Sequence, residues 1–144
     1  MELSVVTGRF FVGRMKKGDD LLGALERFCR EKKITLGEVR ALGAVASARV
    51  GFYDQAARKY MYHDFKEPLE ILNLTGNISL KDDEPFVHAH VTLSDGKGAA
   101  FGGHLAEGTP VFACEFTIRE LVAEKRLERA LDDETGLFLW PRRD

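Results

Sequence analysis

Residues 85–105 read PFVHAHVTLSDGKGAAFGGHL, and their pattern decides how the rest of the chain is folded. From Phe86 to Leu93 the residues alternate, as neighbours on a β-strand point to opposite faces. Val87, Ala89, Val91 and Leu93 form an apolar face; Phe86, His88, His90 and Thr92 form the other. His88 and His90 therefore project side by side, roughly 7 Å apart by the strand rise. Two imidazoles at that spacing can converge on one ion through Zn–N bonds of about 2.0–2.1 Å.

A second arm, Gly98 to Leu105, completes a hairpin and carries His104. A two-residue turn at Asp95-Gly96 would set Val87 opposite His104 and put that imidazole on the wrong face. A three- or five-residue loop, or one bulge, shifts the pairing by one, with His88 expected opposite His104 and His90 opposite Gly102. Glycines at 96, 98, 102 and 103 favour such odd connections. The expected metal ligands are His88, His90 and His104, with polar residues on a solvent face or in a subunit contact as the plainer reading.

The surrounding chain is that of one domain spanning 1–144, with 44% hydrophobic and 31% charged residues. No apolar run approaches the ~18 residues of a membrane span. The start, MELSVVTGRFFVG, lacks the basic region of a signal peptide and reads as a strand, so a cytoplasmic location is expected. Cys29 and Cys114 fall in apolar patterns and are expected as buried free thiols. The formal net charge is −2, and no basic run exceeds two residues, which argues against generic binding to nucleic acid.

In chain order, Val5 to Met15 suggests a strand covered on both faces. After Gly18, Asp19 or Asp20 caps a helix to about Lys32, with Leu21, Leu22, Leu25, Phe28 and Cys29 on one stripe. Residues 36–54 read as two short strands, or one bent at Gly43 to Ser47. Residues 59–66 form an edge strand bearing His63, an ordinary surface histidine. Pro68 to Leu80 is a strand with Leu69, Ile71, Asn73 and Thr75 on one face. Thr109 to Val122 is a long strand with Phe112, Cys114, Phe116 and Ile118 on its core face and Glu115 opposite. The expected class is α+β: a mixed, mostly antiparallel sheet with one main helix over about 19–33 packed on it.

Glu115 is the candidate acid/base or support for the metal ligands, although an ordinary pairing with an arginine is the simpler role. Arg9 and Arg14 read as ordinary charges. Phe10, Phe52, Phe65, Phe101 and the terminal GLFLW (residues 136–140) are many exposed apolar side chains for so small a sheet; a symmetric oligomer would cover them.

Six segments together resemble the PPC (plants and prokaryotes conserved) domain: RMKKGDDL (14–21), Ala41 to Asp54, PLEILNLTGNI (68–78), His88-Ala-His90, GGHL (102–105) and the Ala113 to Ile118 strand. The resemblance implies a homotrimer. In plant members a GRFEIL-like segment contacts partner proteins; EPLEIL (67–72) stands there in this chain, keeping Glu70, Ile71 and Leu72 as the implied partner-binding residues and departing before them. The AT-hook that carries DNA binding in plant members is absent, so a DNA-associated role follows only from the family. The fold is shared with acetolactate decarboxylase, whose zinc is held by a similar histidine set; this implies zinc on His88, His90 and His104. Two functions are thus expected as alternatives: a trimeric metal-binding protein with a binding or regulatory role, or a small zinc-dependent lyase or hydrolase at the same three histidines.

Overall fold

In the computed structural model of the protein, which describes residues 2–142, strand β1 (Val5–Arg14) is followed by the helix α1 (Leu21–Lys32). Strands β2 (Gly37–Val45), β3 (Ala48–Asp54), β4 (Lys59–Phe65), β5 (Leu69–Lys81), β6 (Glu84–Ser94), β7 (Ala100–Leu105) and β8 (Val111–Ala123) come next. A C-terminal hairpin of β9 (Ala130–Asp132) and β10 (Leu137–Leu139) ends the chain. Strands β1 to β8 form one sheet in the order β1-β8-β2-β5-β6-β7-β3-β4, and each neighbouring pair is antiparallel. The class is α+β, as the patterning implies.

The helix starts where its cap dictates. The Asp20 carboxylate accepts the Gly23 N–H at 2.9 Å through one oxygen. Its other oxygen accepts the Gly108 and Thr109 N–H groups at 2.7 and 2.9 Å, so the cap also ties the helix to the loop before β8. At the other end Lys33 takes the left-handed conformation, φ 55°, and its N–H closes the last turn. Leu21, Ala24, Leu25 and Cys29 are buried against the sheet. Phe28 meets Phe11 and Phe116 edge-to-face at 5.4 and 5.1 Å. The core they join takes Val39, Val45, Leu74, Ile78, Val91, Leu93 and Ile118 from the same sheet face. Cys29 and Cys114 are free and buried there, and burial pushes their thiols up to about 12 and about 11.

The structure departs from the sequence pattern at three places, two of them bulges that break strict alternation. On β5 a register shift between Ile71 and Asn73 inserts one residue. Leu74 and Ile78 then join Leu69 and Ile71 in the core, whereas Asn73 and Thr75, expected beside them, face outward. On β8 the pairing jumps from Ala44–Ala113 to Val45–Val111. Val111 is buried in place of Phe112, which stands 54% exposed under the Lys17 ammonium, 4.7 Å from its ring centroid. Strand β1, expected to be covered on both faces, is instead a sheet edge, with Phe10 and Val12 exposed. Phe65 and Phe101 stack on each other at 4.4 Å and pack against the core, so they are not among the exposed aromatics.

The helix covers one sheet face. The other is left to Phe10, Val12, Arg40, Thr75 and the histidine strand, and is overlaid at one end by the C-terminal hairpin.

Candidate metal centre

Hairpin β6–β7 is closed by a loop of odd length, 95–99, in which the Asp95 carboxylate accepts the N–H groups of Lys97 and Ala99. Gly98 takes φ +82° there, a conformation glycine adopts at little cost. Because the loop has five residues, Ser94 pairs with Ala100, Thr92 with Gly102 and His90 with His104. The parity that puts all three histidines on one face is as the sequence requires. The partner differs: His90, not His88, lies opposite His104, since a five-residue loop slides the pairing two residues further than a three-residue loop would.

The three imidazoles form a nearly equilateral triangle. Ring centroids are 5.3 Å apart for His88 and His90, 5.1 Å for His88 and His104, and 5.5 Å for His90 and His104. One nitrogen from each ring lies within 4.8 Å of the others. A four-coordinate zinc with bonds of ~2.0–2.1 Å asks for donors about 3.4 Å apart, a gap that modest ring rotations close. Among the described residues no protein group hydrogen-bonds any of the three rings, so their nitrogens remain open to a metal. Burial, followed by the charge of His104, lowers His88 from its usual 6.5 to about 4. Burial, followed by the charge of His90, lowers His104 to about 4. Neutral imidazole is the form that ligates, so the group could hold a metal ion.

Neighbouring strands and the C-terminal hairpin form an open-sided cavity of about 510 Å³ around this triangle, with His88 and His104 half-buried and His90 exposed. Tyr60 packs on His104 at 5.0 Å. Leu137, Phe138 and Leu139 of β10 line the far wall. The hairpin is fixed by Arg129, which donates from Nε to Ser79 Oγ at 3.0 Å, and from its terminal nitrogens to Asn77 Oδ1 at 2.6 Å and the Phe138 carbonyl at 3.0 Å. Trp140 Nε1 donates to the same Ser79 hydroxyl at 3.1 Å. Asn77 is the cross-strand neighbour of His88, which places the guanidinium beside the triangle. Nothing in the sequence marks Arg129. It lies in a charged segment, RLERAL, and becomes buried only because the chain returns over the sheet at Leu80 and Glu128.

The other expected site residues lie elsewhere. Glu115 is on β8, separated from the histidine strand by β2 and β5, and lines a different cavity with Arg14 and Arg40. Of the Glu70-Ile71-Leu72 segment, Ile71 is core, while Glu70 and Leu72 are exposed around the β5 bulge. Arg9 is engaged by both oxygens of Glu120 at 2.7 Å. His63 is exposed on edge strand β4.

Residues 3–122 match the Plants and Prokaryotes Conserved (PCC) domain. The chain belongs to that family. Three similar structures carry the same fold. A metal-containing protein of Archaeoglobus fulgidus is 44% identical, with a TM-score of 0.92 and 99% of each chain covered. A plant- and prokaryote-conserved (PPC) protein of Pyrococcus horikoshii is 34% identical, TM-score 0.92, with 98% of this chain and 96% of that one covered. A "putative DNA binding protein" of Bacteroides thetaiotaomicron is 26% identical, TM-score 0.85, with 95% and 96% covered. Among curated proteins, a bifunctional protein GlmU of Synechococcus is 35% identical over 124 residues, 85% of this chain. The PPC chain spans about a fifth of the length of the curated relatives it matches.

Proposed function

We propose that this PPC-domain protein is a homotrimeric zinc protein of the cytoplasm with a binding or regulatory role, its ion held by His88, His90 and His104. The observation that carries the reading is the convergence of one nitrogen from each imidazole within 4.8 Å, inside a cavity and free of competing hydrogen bonds. Three neutral nitrogen donors suit zinc and leave a fourth position for a ligand. Zinc bound there supplies Lewis acidity to whatever occupies that position. The Archaeoglobus relative, described as metal-containing, supports the reading at 44% identity. The trimer is supported by the uncovered apolar side chains of β1 and β2, Phe10, Val12 and Leu42, all more than half exposed.

The alternative, a zinc-dependent lyase or hydrolase at the same histidines, needs an acid/base group in the cavity. Glu115, the sequence's candidate, lines a separate cavity, and no other carboxylate lines the one with the histidines among the described residues. The acid/base-capable groups that do line it are Tyr53, Tyr60, Lys59 and Lys81, so an enzyme here would work without a carboxylate, and the binding role is kept as the first reading. Duplex DNA is a weaker partner than the Bacteroides relative's description suggests, because Arg9, Arg27, Arg49, Arg119, Arg126 and Arg142 are each paired with a carboxylate. Glu70 and Leu72, exposed on β5, are the candidate contacts for a protein partner.

Metal analysis of protein purified without chelator tests the proposal. Near-stoichiometric zinc that is lost in His88→Ala supports it; a metal-free wild-type protein that also refuses added zinc overturns it.

A further inference from the structure

Arg129 is 7% exposed and has no carboxylate within ion-pairing distance among the described residues, whereas six other arginines each have one. Its three acceptors, Ser79, Asn77 and the Phe138 carbonyl, are all neutral. A guanidinium has five N–H hydrogens, so two remain without an acceptor among the described residues. Phe86 and Trp140 rings lie 5.2 and 5.7 Å from its central carbon and offset only part of the cost of burying the charge.

The same cavity receives Arg58, Lys59 and Lys81, and among the described residues none that lines it is Asp or Glu. Lys81 is held at the Phe138 and Phe86 rings, 4.1 and 5.6 Å from their centroids. Arg58 is turned to the Asp133 and Glu134 carbonyls and Lys59 is exposed, whereas Arg129 and Lys81 are the two held against aromatic rings of the cavity. Three neutral imidazoles would leave the charge of a divalent ion uncompensated in the same space. Arg129 is the buried cation among these, Lys81 is half-buried and Arg58 and Lys59 are exposed; a buried, uncompensated guanidinium beside a divalent ion calls for an anion.

The geometry points to a small organic anion, of carboxylate or phosphate type, as the ligand of this cavity, with Arg129 holding its charge and Lys81 assisting. This deepens the metal reading and rests on it for the position of the ligand beside the histidines. The cavity, about 510 Å³, has the size of a small-molecule site. Its aromatic wall of Tyr53, Tyr60 and Phe86 suits an anion with a short apolar body.

Protein loaded with cobalt(II) provides the test, read by calorimetry and by the visible spectrum of the metal. Inorganic phosphate and malonate are titrated as the two sources of charge, with acetamide as the neutral control. At least one anion is expected to bind saturably and change the cobalt spectrum, and acetamide to do neither. Arg129→Gln is expected to weaken binding roughly tenfold or more while still taking up cobalt, as loss of charged hydrogen bonds implies. Arg129→Lys should recover part of that loss. Should Arg129→Gln fail to fold, Lys81→Ala, which changes a side chain at the rim, is expected to weaken binding about threefold. Binding of neither anion, or unchanged affinity in the folded variants, overturns the inference while leaving the metal site standing. If no cobalt is taken up, the metal reading fails instead. The anion inference is then decided on the metal-free protein, where Arg129-dependent heat sustains it and its absence overturns it.

Discussion

His90 and His104 face each other directly across the β6–β7 ladder, their ring centroids 5.5 Å apart, and His88 completes the triangle from two residues along β6. That arrangement depends on a close approach at Gly102. A Cβ there would lie 2.0 Å from the Val91 carbonyl oxygen. Gly102→Ala should therefore force β7 away from β6, lower stability by roughly 1–3 kcal/mol as overpacking does, and weaken zinc binding through His104. Gly96→Ala, where nothing lies within 4 Å of the added carbon, is the matched control and should change neither. Chemical denaturation and zinc competition titrations on both variants check this.

Protonation offers a second test. Burial lowers His88 and His104 to about 4 in the folded protein, below the ordinary 6.5. The unfolded chain thus binds more protons between those values, so folding is favoured above about 6.5 and the benefit is lost as pH falls toward about 4. Metal-free protein should melt at progressively lower temperature across that window, beyond the loss shown by a His88→Ala/His104→Ala double variant. Parallel melting curves for the two proteins would contradict the assignment.

Asp20 carries more than a helix cap, since one oxygen holds Gly23 and the other the Gly108 and Thr109 N–H groups. Asp20→Ala should cost roughly 2–3 kcal/mol, above the ~1 kcal/mol typical of a lost cap. Asp20→Asn keeps one acceptor oxygen and should fall between. Urea denaturation distinguishes the three.

The histidine face was legible in the sequence because period-2 alternation over Phe86 to Leu93 is unbroken, and because an odd loop, or one bulge, keeps His104 on that face. The helix was legible too, from Asp20 and an apolar stripe that the structure buries. Alternation failed where a bulge moved the pleat by one residue, at Leu72 on β5 and at Phe112 on β8. Both bulges occur in strands rich in apolar residues on either parity, where side-chain pattern alone does not fix the register. Arg129 was invisible for another reason. Its burial arises from contacts of a terminal hairpin with residues 50 and 52 positions earlier, and no local period encodes such a return.

Assembly gives a further expectation. Val12 is 76% exposed on edge strand β1, so an isolated chain should tolerate Val12→Asp with little change in stability. In the proposed trimer the same charge would be buried against a second copy. Wild-type protein is expected to sediment as three copies of the 16.1 kDa chain, about 48 kDa, and Val12→Asp as a single copy. A wild-type monomer at high concentration would contradict the trimer.

The central claim, that His88, His90 and His104 together hold zinc, is tested most directly by X-ray absorption at the zinc edge on loaded protein. Three imidazole nitrogens and one further light atom at about 2.0–2.1 Å are the expected first shell, with the imidazole count falling in His104→Ala. A shell containing sulfur, or one with fewer than three imidazoles in the wild type, would contradict it.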